Sequence, residues 1–395
     1  MKIDFPKEKY IKGIEINDNN IEIEFSKRKK VALLFVSIND RYWPYLTQAI
    51  KDCKKNFLPQ HKVDYFIWTD FNGESKEKLL SGLEEHFKNY LESSPEKKQE
   101  TLNIFLNIFA QVVRLYEYFY APLIQEVLQG LSNQGVVFKR EGMKHWIESA
   151  KPLTETDMTL FYEAIKQILN HACSDMEETL KGATLIETEP IEWPHPTLMR
   201  YHLFLQEEKL KDYDYIFYMD ADMRVVAKVS DEIIGKGLTA AQHPMHALRK
   251  QYIPPYEPNP NSTAYIKRPG KVVIEENGKP RFMPYYYAGG FQGGTAKEYL
   301  KAAHTIKGSI DKDFNNNYIA IWNDESHWNK YLSDYRGDLV VLSPSYVYPD
   351  SLIKEYYEPI WGCSYEPKII TLTKPFSLSF EGAEEIQKFI SEHKK

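Results

Sequence analysis

The run from residue 31 to residue 38, Val-Ala-Leu-Leu-Phe-Val-Ser-Ile, is almost wholly apolar over the length of one β-strand. A strand with this pattern must be covered on both faces, which is typical of a parallel sheet between layers of helices. Apolar residues at helical spacing follow from Leu46 to Phe57, and a second apolar run, Val63–Thr69, ends at Asp70. These elements form a βαβ unit and predict an α/β, Rossmann-like fold.

Two further patterns indicate how the chain is organised. A helical face around Leu198 precedes a third apolar strand, Tyr213–Met219. Between the second and third strands the chain is rich in Glu and Lys with helical periodicity, which predicts an insertion. We therefore expect residues 1–70 to begin the α/β domain, residues 71–189 to form a helical insertion, and residues 190–395 to complete the domain.

The composition argues against several classes of protein. The formal net charge is −6 and no Lys/Arg block is longer than residues 27–30, so we expect no nucleic-acid binding. Three cysteines that lie far apart indicate neither a disulfide framework nor a cysteine-based zinc site. The start of the chain has no apolar signal segment, and the longest apolar stretch, Leu102–Tyr120, carries polar and charged residues. We expect a buried or partner-facing helix there, no transmembrane segment and a cytoplasmic location.

The segment Asp220-Ala221-Asp222 directly follows the third strand. Two carboxylates at i and i+2 after a strand point the same way and can share one divalent cation. No glycine-rich phosphate-binding loop follows the first strand, so a metal here is one way to meet the charge of a diphosphate. Two alternatives stay open. A strand-end Asp can simply cap a turn, and aspartyl phosphotransferases use Asp-x-Asp as well, although usually near the start of their domain.

Two later segments combine aromatic residues with groups that can hold a sugar. The segment Trp322–Tyr331 places two acids, a histidine and a lysine between aromatic rings, although acids at a helix start can also simply offset the helix dipole. In Tyr285–Gly294, three tyrosines are followed by four glycines, whose missing side chains let a ligand approach the backbone. A tight bend in a β-rich segment would have the same composition.

In this order, the three motifs resemble glycosyltransferase family 6, which contains the histo-blood-group A and B transferases and the α-1,3-galactosyltransferases. Asp220–Asp222 resembles the metal-binding Asp-x-Asp of the family, Tyr286–Gly294 its donor-sugar segment, and Trp322–Tyr331 its Trp-His-Asp-Glu-Ser-His-Leu-Asn-Lys-Tyr signature. The resemblance spans residues 30–72 and 185–350 and implies a GT-A fold interrupted by the insertion. Without the Golgi anchor of the vertebrate members, the sequence looks like the bacterial and phage members.

The resemblance implies a role for each matched residue. Asp220 and Asp222 would hold Mn²⁺ against the diphosphate of a UDP-sugar, and Arg200 would add a second positive charge. Asp324 would bind donor-sugar hydroxyls, and Glu325 would lie under the anomeric carbon as nucleophile or as stabiliser of an oxocarbenium-like state. The other donor-side residues would be Phe35, Val36, Ser37, Tyr42, Ala221, Ala288, Gly289 and Gly290, and the acceptor side would be formed by His243, Trp322 and again Glu325.

The implied activity is retaining transfer of GalNAc or Gal from UDP-GalNAc or UDP-Gal, in α-1,3 linkage, to a galactose-terminated oligosaccharide with or without fucose. The small residues Ala288 and Gly290 leave room for an N-acetyl group and favour UDP-GalNAc. Many bacterial relatives have Asn-x-Asn at the metal site, whereas this chain keeps both carboxylates, so we expect metal dependence. For His327 and Lys330, a structural and a catalytic role are equally open. The alternative function is glycan binding without turnover, which would not require a metal–diphosphate site.

Overall fold

The structure is a computed structural model of the 395-residue chain. It describes residues 28–39, 42–116, 119–133, 136–141, 144–149, 154–189, 194–244, 255–267, 286–350 and 367–372, with short pieces at 16–17, 20–21, 273–274 and 280–281. Tyr285, the first residue of the tyrosine- and glycine-rich segment, lies outside these residues.

Seven of the described strands form one central sheet. Outside the short pieces at 16–17, 20–21, 273–274 and 280–281, the strands in chain order are β1 (Lys30–Ser37), β2 (Lys62–Thr69), β3 (Val136–Glu141), β4 (Lys144–Ser149), β5 (Thr184–Glu187), β6 (Tyr215–Met219), β7 (Met223–Val225), β8 (Leu238–Gln242), β9 (Tyr287–Thr295), β10 (Leu339–Leu342), β11 (Tyr348–Pro349) and β12 (Ile369–Thr371). The central sheet has the order β10-β8-β9-β6-β1-β2-β5, and its neighbouring strands are parallel except around β9, which is antiparallel to β8 and β6. The reversed strand brings the glycine-rich segment alongside β6, the strand that ends at Asp220.

Helices cover both faces of this sheet. In chain order they are α1 (Trp43–Asn56), α2 (Gly73–Glu92), α3 (Lys98–Tyr116), α4 (Ala121–Asn133), α5 (Glu155–Thr179), α6 (His195–Phe204), α7 (Ala296–Asn315) and α8 (Asn323–Asp334). Along β1, Val31, Leu33 and Phe35 pack into one apolar cluster with α1, whereas Ala32 and Leu34 pack into a second cluster with α6 and α7. All five side chains are fully buried, which confirms the predicted α/β fold with a sheet covered on both sides.

Helix α1 shows how the sequence sets the start and end of an element. Pro44 lies in its first turn, where a missing N–H group costs nothing, and two lysines lie in its last turn, where they face the negative end of the helix dipole. The helix ends at Phe57, whose ring packs edge-on against Phe217 and Phe291, at centroid distances of 5.9 and 6.2 Å. This contact ties α1 to the two strands that carry the candidate site.

The segment between β2 and β5 is mainly helical. Helices α2 to α5 enclose an apolar cluster of their own, in which Phe105, Phe109 and Phe161 are fully buried. The apolar stretch Leu102–Tyr120 therefore contains a buried helix, and no helix within the described residues is long and apolar enough to cross a membrane. Helix α5 begins at a capping box, in which Thr154 and Asp157 satisfy each other's backbone N–H groups.

Two features of this segment differ from a purely helical insertion. The strands β3 and β4 form an antiparallel hairpin between α4 and α5, which the helical periodicity did not predict. Strand β5 then pairs with β2 in parallel, so the central sheet resumes at Thr184, before the predicted end of the insertion at residue 189.

Candidate active site

The site begins at the carboxyl end of β6, where the chain turns through Asp220–Asp222. The Asp220 N–H donates to the Gly290 carbonyl of β9 (2.9 Å), and the Met223 N–H donates back to the Asp220 carbonyl (3.2 Å). On the other side, the Leu372 N–H donates to the Asp222 carbonyl (2.9 Å). Backbone hydrogen bonds to two neighbouring segments therefore hold the turn, with Ala221 buried in its centre.

The two carboxylates of the turn have different surroundings. The Asp220 side chain is 34% exposed, and its Oδ1 accepts a hydrogen bond from the Tyr218 hydroxyl. Asp222 is buried, with 4% of its surface exposed. The other oxygen of Asp220 lies close to Gly290, where a Cβ atom would come within 2.7 Å of Oδ2. The packing of Asp220 therefore requires a glycine at position 290, so the small size of this residue does not by itself select the donor sugar.

Asp220 and Asp222 are the residues here that suit a divalent cation, because carboxylate oxygens are its preferred ligands. Within the part of the chain that the structure describes, no group of three or more His, Cys, Asp or Glu side chains is placed to hold a metal. A cation at these two carboxylates would therefore take its other ligands from water or from a bound substrate. The pair fits a metal shared with a diphosphate better than a closed structural site.

Arg200 of α6 lies between the acidic groups and is only 5% exposed. Its Nη1 lies 3.4 Å from Oδ1 of Asp220, and its Nε lies 3.3 Å from Oδ2 of Asp324. The guanidinium also stacks over the Tyr218 ring, 4.3 Å from its centroid, and Nη1 donates to the Gly289 carbonyl (3.3 Å). Burial disfavours the charge, but the nearby acids, above all Asp324, raise the pKa of Arg200, so this group stays cationic.

Asp324 and Glu325 form the first turn of α8. Asn323, just before them, has a φ of +48°, a conformation that asparagine adopts more readily than most residues. Asp324 is 2% exposed. Glu325 reaches across to β9, where its Oε2 accepts the Gly289 N–H (2.7 Å), and the Tyr286 side chain lies beside this carboxylate. A Cβ atom at Gly289 would lie 3.2 Å from the Glu325 Cβ, so the glycine allows this close approach.

Both of these carboxyl groups titrate near neutral pH. Burial raises the pKa of Asp324 to about 7, against the opposing effect of Arg200. Burial likewise raises the pKa of Glu325 to about 7, opposed by the hydrogen bonds from Gly289 and Tyr286. Because the acids outnumber the arginine, the site has an excess of negative charge when they are ionised, which a bound cation would offset.

Several residues of the site were not singled out from the sequence. The fully buried Gln292 donates through Nε2 to the Gly289 carbonyl (2.9 Å), and its Oε1 accepts the Tyr201 hydroxyl (2.9 Å). Tyr218 and Tyr286, which hold the carboxylates, and Asn329 of α8 complete this group. All of them lie inside or next to the three sequence motifs, but their partners are distant in sequence and become visible only in the fold.

The predicted donor side lies at the same edge of the sheet. Strand β1 runs parallel to β6, so their carboxyl ends meet where α/β sheets usually bind ligands. Ser37 at the end of β1 is fully buried, and its hydroxyl has no hydrogen-bond partner among the described residues. The side chains of Phe35 and Ala288 pack into the core, so only their backbone can face a ligand. Val36 and Tyr42 are partly buried beside them.

The residues predicted for the acceptor side lie in separate segments. Trp322 is 48% exposed, two residues before the buried acid Asp324. The His243 N–H donates to the Tyr286 carbonyl (2.8 Å), and burial lowers the pKa of its imidazole to about 4, so this ring is neutral. Glu257 accepts the Ile321 N–H (2.7 Å) and so joins the segment 255–267 to the residues that lead into Trp322.

His327 and Lys330 of α8 each lie near an acid outside the three sequence motifs. His327 is 3% exposed and lies 3.8 Å from Asp313, and Lys330 pairs with Asp334 (3.0 Å). Both line a cavity of about 680 Å³ between α7 and α8, which no predicted donor or acceptor residue lines. Their surroundings favour the structural interpretation of these two residues.

Known proteins match the part of the chain that carries this site. Residues 192–357 match Glycosyltransferase family 6. Histo-blood group ABO system transferase 1 of Rattus norvegicus is 33% identical over 150 residues, which are 38% of this chain and 39% of the rat protein. Globoside alpha-1,3-N-acetylgalactosaminyltransferase 1 is 30% identical over 151 residues in Gallus gallus, 38% of this chain and 39% of that protein. The enzyme of the same name in Canis lupus familiaris is 26% identical over 244 residues, 60% of this chain and 65% of that protein. The chain thus spans between 39% and 65% of the length of these three relatives.

Proposed function

We propose that the chain is a retaining hexosyltransferase of glycosyltransferase family 6, because residues 192–357 match this family. It transfers GalNAc or Gal from a UDP-sugar, in α-1,3 linkage, to a galactose-terminated glycan. The proposal rests mainly on the way four charged side chains come together at one edge of the sheet. Arg200 lies 3.4 Å from Asp220 and 3.3 Å from Asp324. Next to Asp324, Glu325 accepts the Gly289 N–H of β9 at 2.7 Å.

On the donor side, Asp220 and Asp222 would hold a divalent metal, Mn²⁺, against the diphosphate. The metal would offset the charge that develops on the UDP leaving group. Arg200 remains cationic in this buried position and adds a fixed positive charge next to the same phosphates. The orphaned hydroxyl of Ser37 at the neighbouring strand end offers a hydrogen bond to the nucleoside. Each of these groups is buried or backbone-anchored, so little reorganisation is needed when the donor binds.

The reaction centre lies between β9 and the start of α8. Asp324, next to Arg200, accepts hydrogen bonds from hydroxyls of the donor sugar. Glu325 presents its carboxylate to the anomeric carbon, either as nucleophile in a double displacement or as stabiliser of the positive charge of an oxocarbenium-like transition state. The Gly289 N–H holds one oxygen of Glu325 at 2.7 Å and thereby orients the carboxylate. In both mechanisms the ionised form of Glu325 is the active one.

On the acceptor side, the exposed indole of Trp322 offers an apolar face on which a sugar ring can stack. The neutral His243 can either donate or accept a hydrogen bond. As donor we propose UDP-GalNAc over UDP-Gal, because two of the relatives described above are named as N-acetylgalactosaminyltransferases. The small residues at positions 288 and 290 do not decide the donor, because the Ala288 side chain packs into the core and a Cβ atom at position 290 would meet Asp220.

The experiment that tests this function is UDP release from UDP-GalNAc and from UDP-Gal, each with and without Mn²⁺, with fucosylated lactose as acceptor. We expect Mn²⁺-dependent release that requires the acceptor and is faster with UDP-GalNAc. Release that is equally fast in EDTA would contradict the metal role of Asp220 and Asp222. Mn²⁺-dependent UDP binding without any release would instead indicate a wrong acceptor, and failure to bind UDP at all would favour glycan binding without turnover.

A further inference from the structure

Asn329, in the second turn of α8, uses its whole side-chain amide to join two segments. It is 3% exposed. Its Oδ1 accepts the Tyr287 N–H (2.8 Å), and its Nδ2 donates both to the Tyr287 carbonyl (2.8 Å) and to the Glu325 carbonyl (2.8 Å). Because one partner is an N–H group and the others are carbonyls, the orientation of the amide is determined by its partners.

The two bonds to Tyr287 replace the hydrogen bonds that a neighbouring strand would make. The pairing of β9 with β8 shifts here, because Ala240 lies opposite Gln292 and the next aligned pair is Gln242 with Tyr287. On its other side, β9 pairs with β6 only from Phe291 onward. The segment 288–290 therefore has no regular ladder on either side, and it contains the glycines that contact Glu325 and Asp220.

Asn329 and Glu325 close a small ring of contacts around this segment. Glu325 lies one helical turn before Asn329, and its Oε2 accepts the N–H of Gly289, two residues after Tyr287. The Asn329 amide connects the backbone of Glu325 to the backbone of Tyr287. The distance between the start of α8 and β9 is thus set by two links, one through the Glu325 carboxylate and one through Asn329.

We propose that Asn329 is a positioning residue, which holds the Glu325 carboxylate and the Gly289–Gly290 backbone at the distance that the transfer step requires. Asn329 itself touches no substrate. Its bonds keep β9 in place when Glu325 gives up or weakens its bond to Gly289 during the reaction. This inference rests on the proposed transferase function, because it assigns a kinetic consequence to a structural link.

A loss of Asn329 should slow the transfer step more than it weakens donor binding. In the proposed function the donor's phosphates are held by Asp220, Asp222 and Arg200, whereas the side-chain hydrogen bonds of Asn329 go to Tyr287 and Glu325. Misplacement of a reacting group by an ångström can reduce a rate by about a hundredfold. For Asn329→Ala and Asn329→Asp we expect kcat to fall by roughly tenfold to a hundredfold, with the donor KM and the UDP affinity within about threefold of wild type.

The matched control is Thr239→Val, which removes another fully buried side-chain hydrogen bond of the same sheet, from the Thr239 hydroxyl to the Ile233 carbonyl (2.8 Å). This variant should keep kcat within about twofold when compared at a temperature where all variants are folded. Asn329→Asp keeps the shape of the side chain and one acceptor, so it serves if Asn329→Ala does not fold. If kcat of both Asn329 variants matches that of Thr239→Val, the side chain is merely structural and the proposal is wrong.

Amide hydrogen exchange of the folded variants separates this proposal from the proposed function. In Asn329→Ala, peptides that cover residues 286–292 should exchange at least about tenfold faster, whereas peptides from β2 should not change. Unchanged exchange at residues 286–292 would overturn the positioning role, whatever the activity. A wild-type protein that neither binds UDP nor transfers sugar, combined with faster exchange in the variant, would reject the transferase function and leave the link itself established.

Discussion

Replacing Gly290 by alanine adds one carbon atom beside Asp220 and so tests the arrangement of the candidate metal site. The new Cβ would lie 2.7 Å from Oδ2 of Asp220, about 0.7 Å closer than ordinary contact, so one of the two groups must move. The backbone at Gly290 is tied to the Asp220 N–H (2.9 Å), whereas the Asp220 side chain is 34% exposed and can swing outward. We therefore expect the carboxylate to move and to lose its contacts with Tyr218 and Arg200.

The cost should appear in function and hardly in stability. A hydrogen bond to a charged group is worth about 1.5–3 kcal/mol, and about 1.4 kcal/mol corresponds to a tenfold change in affinity. For Gly290→Ala we expect the Mn²⁺ concentration at half-maximal rate and the donor KM to rise by about tenfold or more. The free energy of unfolding should change by less than about 1 kcal/mol, because the displaced carboxylate can reach water.

Two other glycines provide controls with opposite expectations. At Gly293 a Cβ would overlap the Phe217 ring and the Ile216 carbonyl, so Gly293→Ala should destabilise the fold by about 1–3 kcal/mol or more. Gly308 in α7 has open space around it, so Gly308→Ala should leave activity unchanged and stabilise the protein by about 0.5–1 kcal/mol. The assays are UDP release with Mn²⁺ titration and urea unfolding. If folded Gly290→Ala reaches its half-maximal rate at the wild-type Mn²⁺ concentration, the position of the Asp220 carboxylate does not determine metal binding.

Two further predictions concern the ionisation of Glu325 and the binding of the acceptor. Burial raises the pKa of Glu325 to about 7, so this group is largely protonated below neutral pH. At saturating Mn²⁺, kcat/KM should therefore rise between about pH 6 and pH 8 and then level off. A flat profile would show that the ionisation of Glu325 does not limit the reaction. Trp322→Ala removes an exposed surface on which a sugar could stack. In initial-rate measurements the acceptor KM should rise by about twofold to tenfold, while the donor KM stays unchanged. Equal changes in both KM values would contradict a role of Trp322 on the acceptor side.

The strands that form the centre of the site were predictable because their burial is visible in the residues themselves. Val31 to Phe35 and Ile216 to Met219 are covered on both faces, so their apolar runs are continuous. The glycine-rich segment was less clear, because glycines have no side chains whose alternation could reveal a strand. In the structure this segment forms β9, which pairs with β6 as a strand but loses its regular pairing near Gly290. It therefore combines the two interpretations made from the sequence, a bend in a β-rich segment and a backbone that a ligand can approach.

What could not be predicted depends on contacts between distant parts of the chain. Gln292 and Tyr201 are 91 residues apart, and Asn329 and Tyr287 are 42 residues apart, so no local pattern links them. The need for a glycine at position 290 could not be predicted either, because it depends on where the Asp220 side chain lies beside β9. The hairpin of β3 and β4 was missed for a different reason, since its short strands lie within a long region of helical periodicity.

The most direct measurement of the central claim compares Glu325→Gln with Glu298→Gln in the UDP-release assay, together with UDP affinity in the presence of Mn²⁺. Glu298 serves as control because it is a carboxylate of α7 that lines the separate cavity between α7 and α8. We predict that Glu325→Gln loses at least about a hundredfold in kcat with nearly unchanged UDP affinity, while Glu298→Gln behaves like wild type. Transfer by Glu325→Gln at the wild-type rate would contradict the assignment of Glu325 to the reaction centre.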